Sequence, residues 1–244
     1  MSVVDPGSPG AAGRTDTVGE GDVADLAAAR PLRKDVWRRF KRNRLALVGL
    51  GFIVLLIMVA VFAPTIATHP YSELSGQARK APSADHYFGT DRIGRDVFSR
   101  VVYGARISLK IGILATSLSI AIGLVLGATA GYLGGFVDTL VMRITDMFLA
   151  IPYIVLAIAI ATLFGRSENS VILVLGLTGW LAITRIVRAS FLSLKQLEYV
   201  EAASALGFSK RRIMFRHILP NALQPIIVYG TISIGGVIPS DAAL

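Results

Sequence analysis

Few residues in this chain are equipped for covalent or metal chemistry. There is no cysteine, so neither a disulfide nor a thiolate metal site can form. The histidines are His69, His86 and His217. They are far apart in sequence and fall on different sides of the apolar runs described below, so no histidine metal cluster is expected. The sequence contains no G-x-x-x-x-G-K-[ST] phosphate loop, no H-E-x-x-H and no G-x-S-x-G, the patterns of nucleotide, zinc-protease and serine-hydrolase chemistry. An enzyme is therefore not expected, nor a metal or cofactor held by this chain. The residues that could do work are polar ones, in two clusters suited to docking and to capping helices.

The first cluster runs from Glu198 to Asn221, EYVEAASALGFSKRRIMFRHILPN. It is a long polar, basic stretch between two apolar runs. One helix is expected over about Lys195 to Leu206, with Leu197, Val200 and Ala203 along one side. Gly207 sits where a helix C-terminus favours a residue free to turn left-handed. Ser209 can cap a second helix over Lys210 to Leu219, and Pro220 is expected to end it. Glu201 is read as a polar anchor for a partner, with Glu198 in the same coupling loop, and Ala202 and Ala203 as small residues that let it approach. Ile213, Phe215 and Ile218 are expected to fix the second helix against the apolar spans. A helix–Gly–basic helix also resembles a DNA-binding helix-turn-helix. Apolar runs near Trp180 and Ile226 bound it, however, and would keep a duplex away.

The second cluster is HYFGTDRIGRDVFSRVVYGARISL, His86 to Leu109. Gly89 and Gly94 allow turns, and a polar helix is expected to start near Arg95. Asp96 and Arg100 stand i, i+4 and could pair. This segment reads as a collar leading into the next apolar span.

The elements that carry these clusters are set by composition. Hydrophobic residues make up 53% of 244 positions, and mean hydropathy is +0.62, too apolar for an ordinary soluble domain. Crossing a bilayer takes about 20 apolar residues, and five runs qualify: about Leu45–Phe62, Ile107–Ala130, Val137–Phe164, Val171–Val187 and Ala222–Ile238. The net charge of +9 reports orientation, since Lys and Arg collect on the cytoplasmic side. Residues 1–31 lack periodicity and an apolar signal core, and read as a disordered cytoplasmic tail. Residues 32–44 read as a basic interfacial helix with Trp37 and Phe40 on one face. Residues 45–63 are then an uncleaved anchor, 64–106 an external loop, and 107–244 a core carrying a cytoplasmic loop at 188–221. Gly123, Gly127 and Gly131 make a small-residue stripe for close helix approach, within the chain or to another subunit. Arg143 and Asp146 lie one turn apart inside the third span, as a mutual ion pair or as gate residues. Pro152 can kink that span, and Pro225 is placed in the first turn of the last one.

Two motifs resemble a known family. Glu201-Ala202-Ala203, Gly207 and Ile218-Leu219-Pro220 are spaced as in the EAA loop of membrane subunits of bacterial ATP-driven importers. The collar, with Gly89, Asp91, Gly94, Arg95, Asp96, Ser99, Arg100, Gly104 and Arg106, resembles the signature of dipeptide, oligopeptide and nickel permeases, C-type subunit. The resemblance spans roughly Leu32 to Leu244. It implies an all-α polytopic type I ABC importer permease fold, and a translocation path for short peptides, with nickel the alternative. It implies as partners a homologous permease subunit, two ATPase subunits that bind ATP and Mg, an external solute-binding protein and the lipid bilayer, with no nucleic acid. The membrane would be the bacterial cytoplasmic one. Asp241-Ala-Ala-Leu244 stands where the family shows a carboxylate, Ala-Ala-Leu, an outer loop and a sixth span, so a truncated chain is expected, with a five-span variant the alternative.

Overall fold

The computed structural model describes residues 37–38, 40–76, 78–165 and 167–243, with 237–243 by backbone alone. The expected tail over residues 1–31 lies outside the described residues, as does the start of the interfacial helix. The described residues divide into two units, those up to Val54 and those from Leu55 onward. In the first, Trp37 and Phe40 stack with ring centroids 5.7 Å apart, and Lys41 Nζ lies 5.3 Å from the Trp37 ring centre. Helix α1, Arg44–Val61, follows. It is almost purely aliphatic and exposed along nearly all its length, which suits a lipid environment.

The second unit begins at Leu55, inside α1, and holds the remaining helices. A short α2, Ala63–Ile66, leads through the collar to α3, Val97–Leu133. Helices α4, Gly135–Leu149, and α5, Tyr153–Phe164, follow, then α6, Glu168–Lys195. The hairpin starts with α7, Glu198–Ala205. Its second arm is α8, Lys210–Arg212, a π-helical stretch, Ile213–Ile218, and α9, Leu219–Ala243, in unbroken succession. Among the described residues four helices are long and apolar enough to cross a membrane, or five if the bent α4–α5 pair counts as one span.

Helices α3 and α6 run parallel and pack along most of their length. The glycine stripe makes this possible. A Cβ on Gly123 would sit 2.6 Å from Ile183 Cγ2, one on Gly127 2.6 Å from the Thr184 carbonyl, and one on Gly131 2.7 Å from Phe191 Cβ. The stripe is therefore a seam within the chain. Helix α9 returns antiparallel across α3, with Gly230 facing Ile120 and Gly112 facing Ile234.

Several expected boundaries shift. The third span is not one helix: α4 and α5 meet at 92°, and Pro152 starts α5 with an extended ψ of 129°. Its missing N–H and ring forbid continuation from α4. Asp146 pairs with Arg185 at 2.5 Å, not with Arg143. Pro220 does not end a helix, and Pro225 lies inside α9 rather than in its first turn. Pro220 cannot donate to the Arg216 carbonyl and its ring crowds that carbonyl. The wider π turn just before it, in which Leu219 N–H reaches back to the Met214 carbonyl, lets the helix continue.

Candidate functional site

The hairpin lies where α3 and α6 end. Lys195 Nζ donates to the Tyr132 carbonyl at 3.0 Å, tying those two ends together. Helix α7 closes in a Schellman turn. Phe208 N–H donates to the Ala203 carbonyl at 3.2 Å and Gly207 N–H to Ser204 at 3.0 Å, with Gly207 at φ +77°. The Ser209 hydroxyl then accepts the Arg212 N–H at 3.4 Å. Arg212 lies over the Phe208 ring at 4.5 Å, and Phe208 stacks on His217 at 5.9 Å. Sequence reasoning missed the clasp between the two arms. Asn221 Nδ2 donates to the His217 carbonyl at 2.8 Å and to the Tyr199 hydroxyl at 3.1 Å. Tyr199 and Asn221 are polar residues one helix apart, a pairing visible only once the chain has turned.

One side of the hairpin is fused to the bundle. Val200, Ala203, Ile213 and Ile218 share one core cluster with Ile183, Val187 and Phe191 of α6 and Ala222 and Ile226 of α9. Phe191, Val187, Ile218 and Ala222 are fully buried. The other side is free. Glu198, Glu201, Ala202, Lys210, Arg211, Arg212 and Pro220 are exposed. Three expectations need correction. Ala203 is buried in the core and cannot receive a partner. Leu197 is 43% exposed and Phe215 53% exposed, so neither packs the hairpin against the spans. Leu197 precedes the first turn of α7, off its inward face. In the π stretch the turn is wider than a helical period assumes, which rotates Phe215 outward.

The collar is a hydrogen-bonded knot at the other end of α3, about 55 Å away along a 37-residue helix. Asp91 Oδ1 accepts the N–H groups of Ile93 and Arg95, each at 2.9 Å, and its second oxygen pairs with Arg100. Gly89 and Gly94 take φ of +73° and +85°. Asp96 caps α3, accepting Ser99 N–H at 2.7 Å, and its other oxygen meets His86 Nδ1 at 3.0 Å. The expected Asp96–Arg100 pair is thus replaced by Asp91–Arg100, because the cap turns the Asp96 carboxylate back along the chain. The N–H of Arg95 chiefly holds the Asp91 carboxyl below its ordinary range. Burial pushes the Asp96 carboxyl up, but the Ser99 and His86 hydrogen bonds outweigh it and the net shift is downward. Arg106 is exposed, and Gly104 has open space where a Cβ would be. His69 and His86, separated in sequence, stack at 4.7 Å, so the expectation of scattered histidines fails.

Between collar and hairpin, Thr116, Ser119, Tyr153, Thr178, Tyr229 and Ser233 line a cavity of about 270 Å³. The Thr116 hydroxyl is buried without a hydrogen-bond partner. Two ion pairs bind α4 to α6: Asp146 with Arg185, and Asp138 with Arg188, the latter bidentate with one bond at 2.6 Å.

Membrane-length helices, a broken span and a polar hairpin fused to their ends are the features of a multi-pass membrane protein. Residues 123–240 match the binding-protein-dependent transport system inner membrane component family. Residues 31–82 match the N-terminal TM domain of oligopeptide transport permease C. The chain is 42% identical to a dipeptide transport system permease protein of Alkalihalophilus pseudofirmus over 212 residues, 86% of this chain and 70% of that one. It is also 42% identical over 214 residues to an oligopeptide transport system permease protein of Bacillus subtilis, covering 87% and 70%. A glutathione transport system permease protein of Escherichia coli O157:H7 gives 42% over 214 residues, covering 86% and 70%. The chain belongs to the binding-protein-dependent transport system permease family, in its oligopeptide permease C branch.

Proposed function

We propose that this permease carries short peptides inward across the cytoplasmic membrane of a bacterium and that its hairpin couples transport to an ATPase. The relatives named for dipeptide, oligopeptide and glutathione transport support the substrate class. The single observation that carries the coupling role is the two-sided hairpin, exposed and charged on one side, buried in the α6–α9 core on the other. A push on the exposed side, through Glu198, Glu201 and Ala202, moves residues that share a packed core with two spans. Packed cores have discrete arrangements rather than graded ones. The push shifts the gate only if the docking contact differs between the nucleotide states of the ATPase.

The machine then comprises a homologous permease subunit, two ATPase subunits holding ATP and Mg, and an external solute-binding protein. The basic residues of the hairpin and of the segment before α1 support a cytoplasmic position for both and an external one for the collar. Affinity purification in mild detergent tests the assembly: a peptide-importer ATPase should come along with the wild-type chain. Gly207→Pro should insert normally yet abolish peptide uptake. Proline cannot adopt φ +77° and would remove the N–H that bonds Ser204. Normal uptake in that variant would refute the coupling role.

A further inference from the structure

The connection from α2 to α3 gathers ligands that no motif in the sequence unites. His69, His86 and Asp96 each offer an atom within 4.8 Å of the other two. His86 and Asp96 are 6% and 3% exposed. A cavity of about 160 Å³ opens on them, lined also by Glu73 and Ser75. Hydrogen bonds from neighbouring residues hold parts of the cluster in place. Ser99 N–H holds one oxygen of Asp96 at 2.7 Å. The Ser99 hydroxyl accepts the backbone N–H of His69 at 3.1 Å, and Thr68 Oγ1 lies 3.1 Å from His69 Nδ1.

We propose that this cluster binds a divalent transition-metal ion of the zinc class through His69, His86 and Asp96, with Glu73 or water completing the shell. Two imidazoles with carboxylate suit zinc, cobalt or nickel, whereas calcium and magnesium prefer all-oxygen sites. The spacing suits it too. Nitrogen and oxygen ligands at about 2.0–2.1 Å from one ion, set roughly 90–110° apart, are about 2.9–3.4 Å from each other. His86 Nδ1 and Asp96 Oδ1 already stand 3.0 Å apart. The ion takes the place of their hydrogen bond, and the neutral His86 ring carries its proton on Nε2 instead. The bond that Ser99 N–H donates to Asp96 and the one its hydroxyl accepts from the His69 backbone are outer support of the kind such a site uses. Bound there, the ion ties the segment after α2 to the N-cap of α3, and so braces the end of α3 opposite the hairpin.

The test uses the full chain with its co-purifying partner subunits, carrying a tag free of histidine and stripped with chelator. Titration with Co²⁺ should show about one equivalent bound with visible ligand-field bands, displaced by Zn²⁺ and untouched by millimolar Mg²⁺. His69→Ala, which leaves the Asp96 cap in place, should weaken Co²⁺ binding by about tenfold or more while the melting temperature without metal stays unchanged. Zn²⁺ should raise the melting temperature of the wild type and not of His69→Ala. Absence of stoichiometric binding, equal affinity in His69→Ala, or equal competition by Mg²⁺ would each overturn the assignment.

Discussion

Single residues carry definite costs in this molecule. Gly127 admits no side chain, since a Cβ would lie 2.6 Å from the Thr184 carbonyl and 2.7 Å from Val187 Cβ. Gly127→Ala should therefore force α3 from α6 and cost about 1–3 kcal/mol, read as lost stability in denaturant unfolding of the detergent-solubilised protein. Asp91 makes a prediction about pH. Its folded-state carboxyl lies below the ordinary 3.8. The stability it contributes is complete above that value and is lost as pH falls through the lower folded one. Thermal melting between pH 6 and pH 3 should show this loss at the acid end, and Asp91→Asn should flatten it. Residue roles set by backbone geometry were legible beforehand: Gly207 does take positive φ, and Ser209 does cap the arm after it. Roles set by what packs where were not. Phe215 turns outward because a helical period cannot foresee a π stretch, and Ala203 goes inward with Val200, so the side on which their spacing set them is the one that meets the core and not a partner.

At the scale of elements, proline and ion pairs decide the course of the spans. Pro152 separates α4 from α5, and α4 is then fastened to α6 by Asp138–Arg188 and Asp146–Arg185. The Asp138–Arg188 pair is bidentate and partly buried, so removing one partner leaves the other unsatisfied. In a double-mutant cycle, Asp138→Asn and Arg188→Gln should show a coupling of about 1–3 kcal/mol, measured by unfolding. Additive effects would mean that the pair is solvent-screened. Spans two and four run past their apolar runs, α3 from Val97 and α6 to Lys195. Hydropathy marks only the part of a helix matched to lipid. The polar turns beyond it are stabilised at one end by the local Asp96 cap on Ser99 and at the other by the Lys195–Tyr132 bond, which joins residues far apart in the chain.

At the scale of the whole molecule, the bundle and the hairpin share one core. Ile218 is fully buried there beside Phe191 and Val187. Ile218→Ala should destabilise the protein by about 2–5 kcal/mol. In reconstituted complexes it should lower peptide uptake more than ATP hydrolysis, because the docking side of the hairpin is untouched. Equal loss of both would show that the core does not transmit the motion. The amino-acid order by itself determined the membrane class, the apolar runs, the Gly207 turn and the family motifs. Each follows from hydrophobic length or from backbone freedom, which are local properties. Only the tertiary structure decided that the glycine stripe is an internal seam, that Asp91 rather than Asp96 holds Arg100, that His69 meets His86, and which side of the hairpin is free. Those outcomes depend on which surfaces come together, and close packing selects the partners from residues that are distant in the chain.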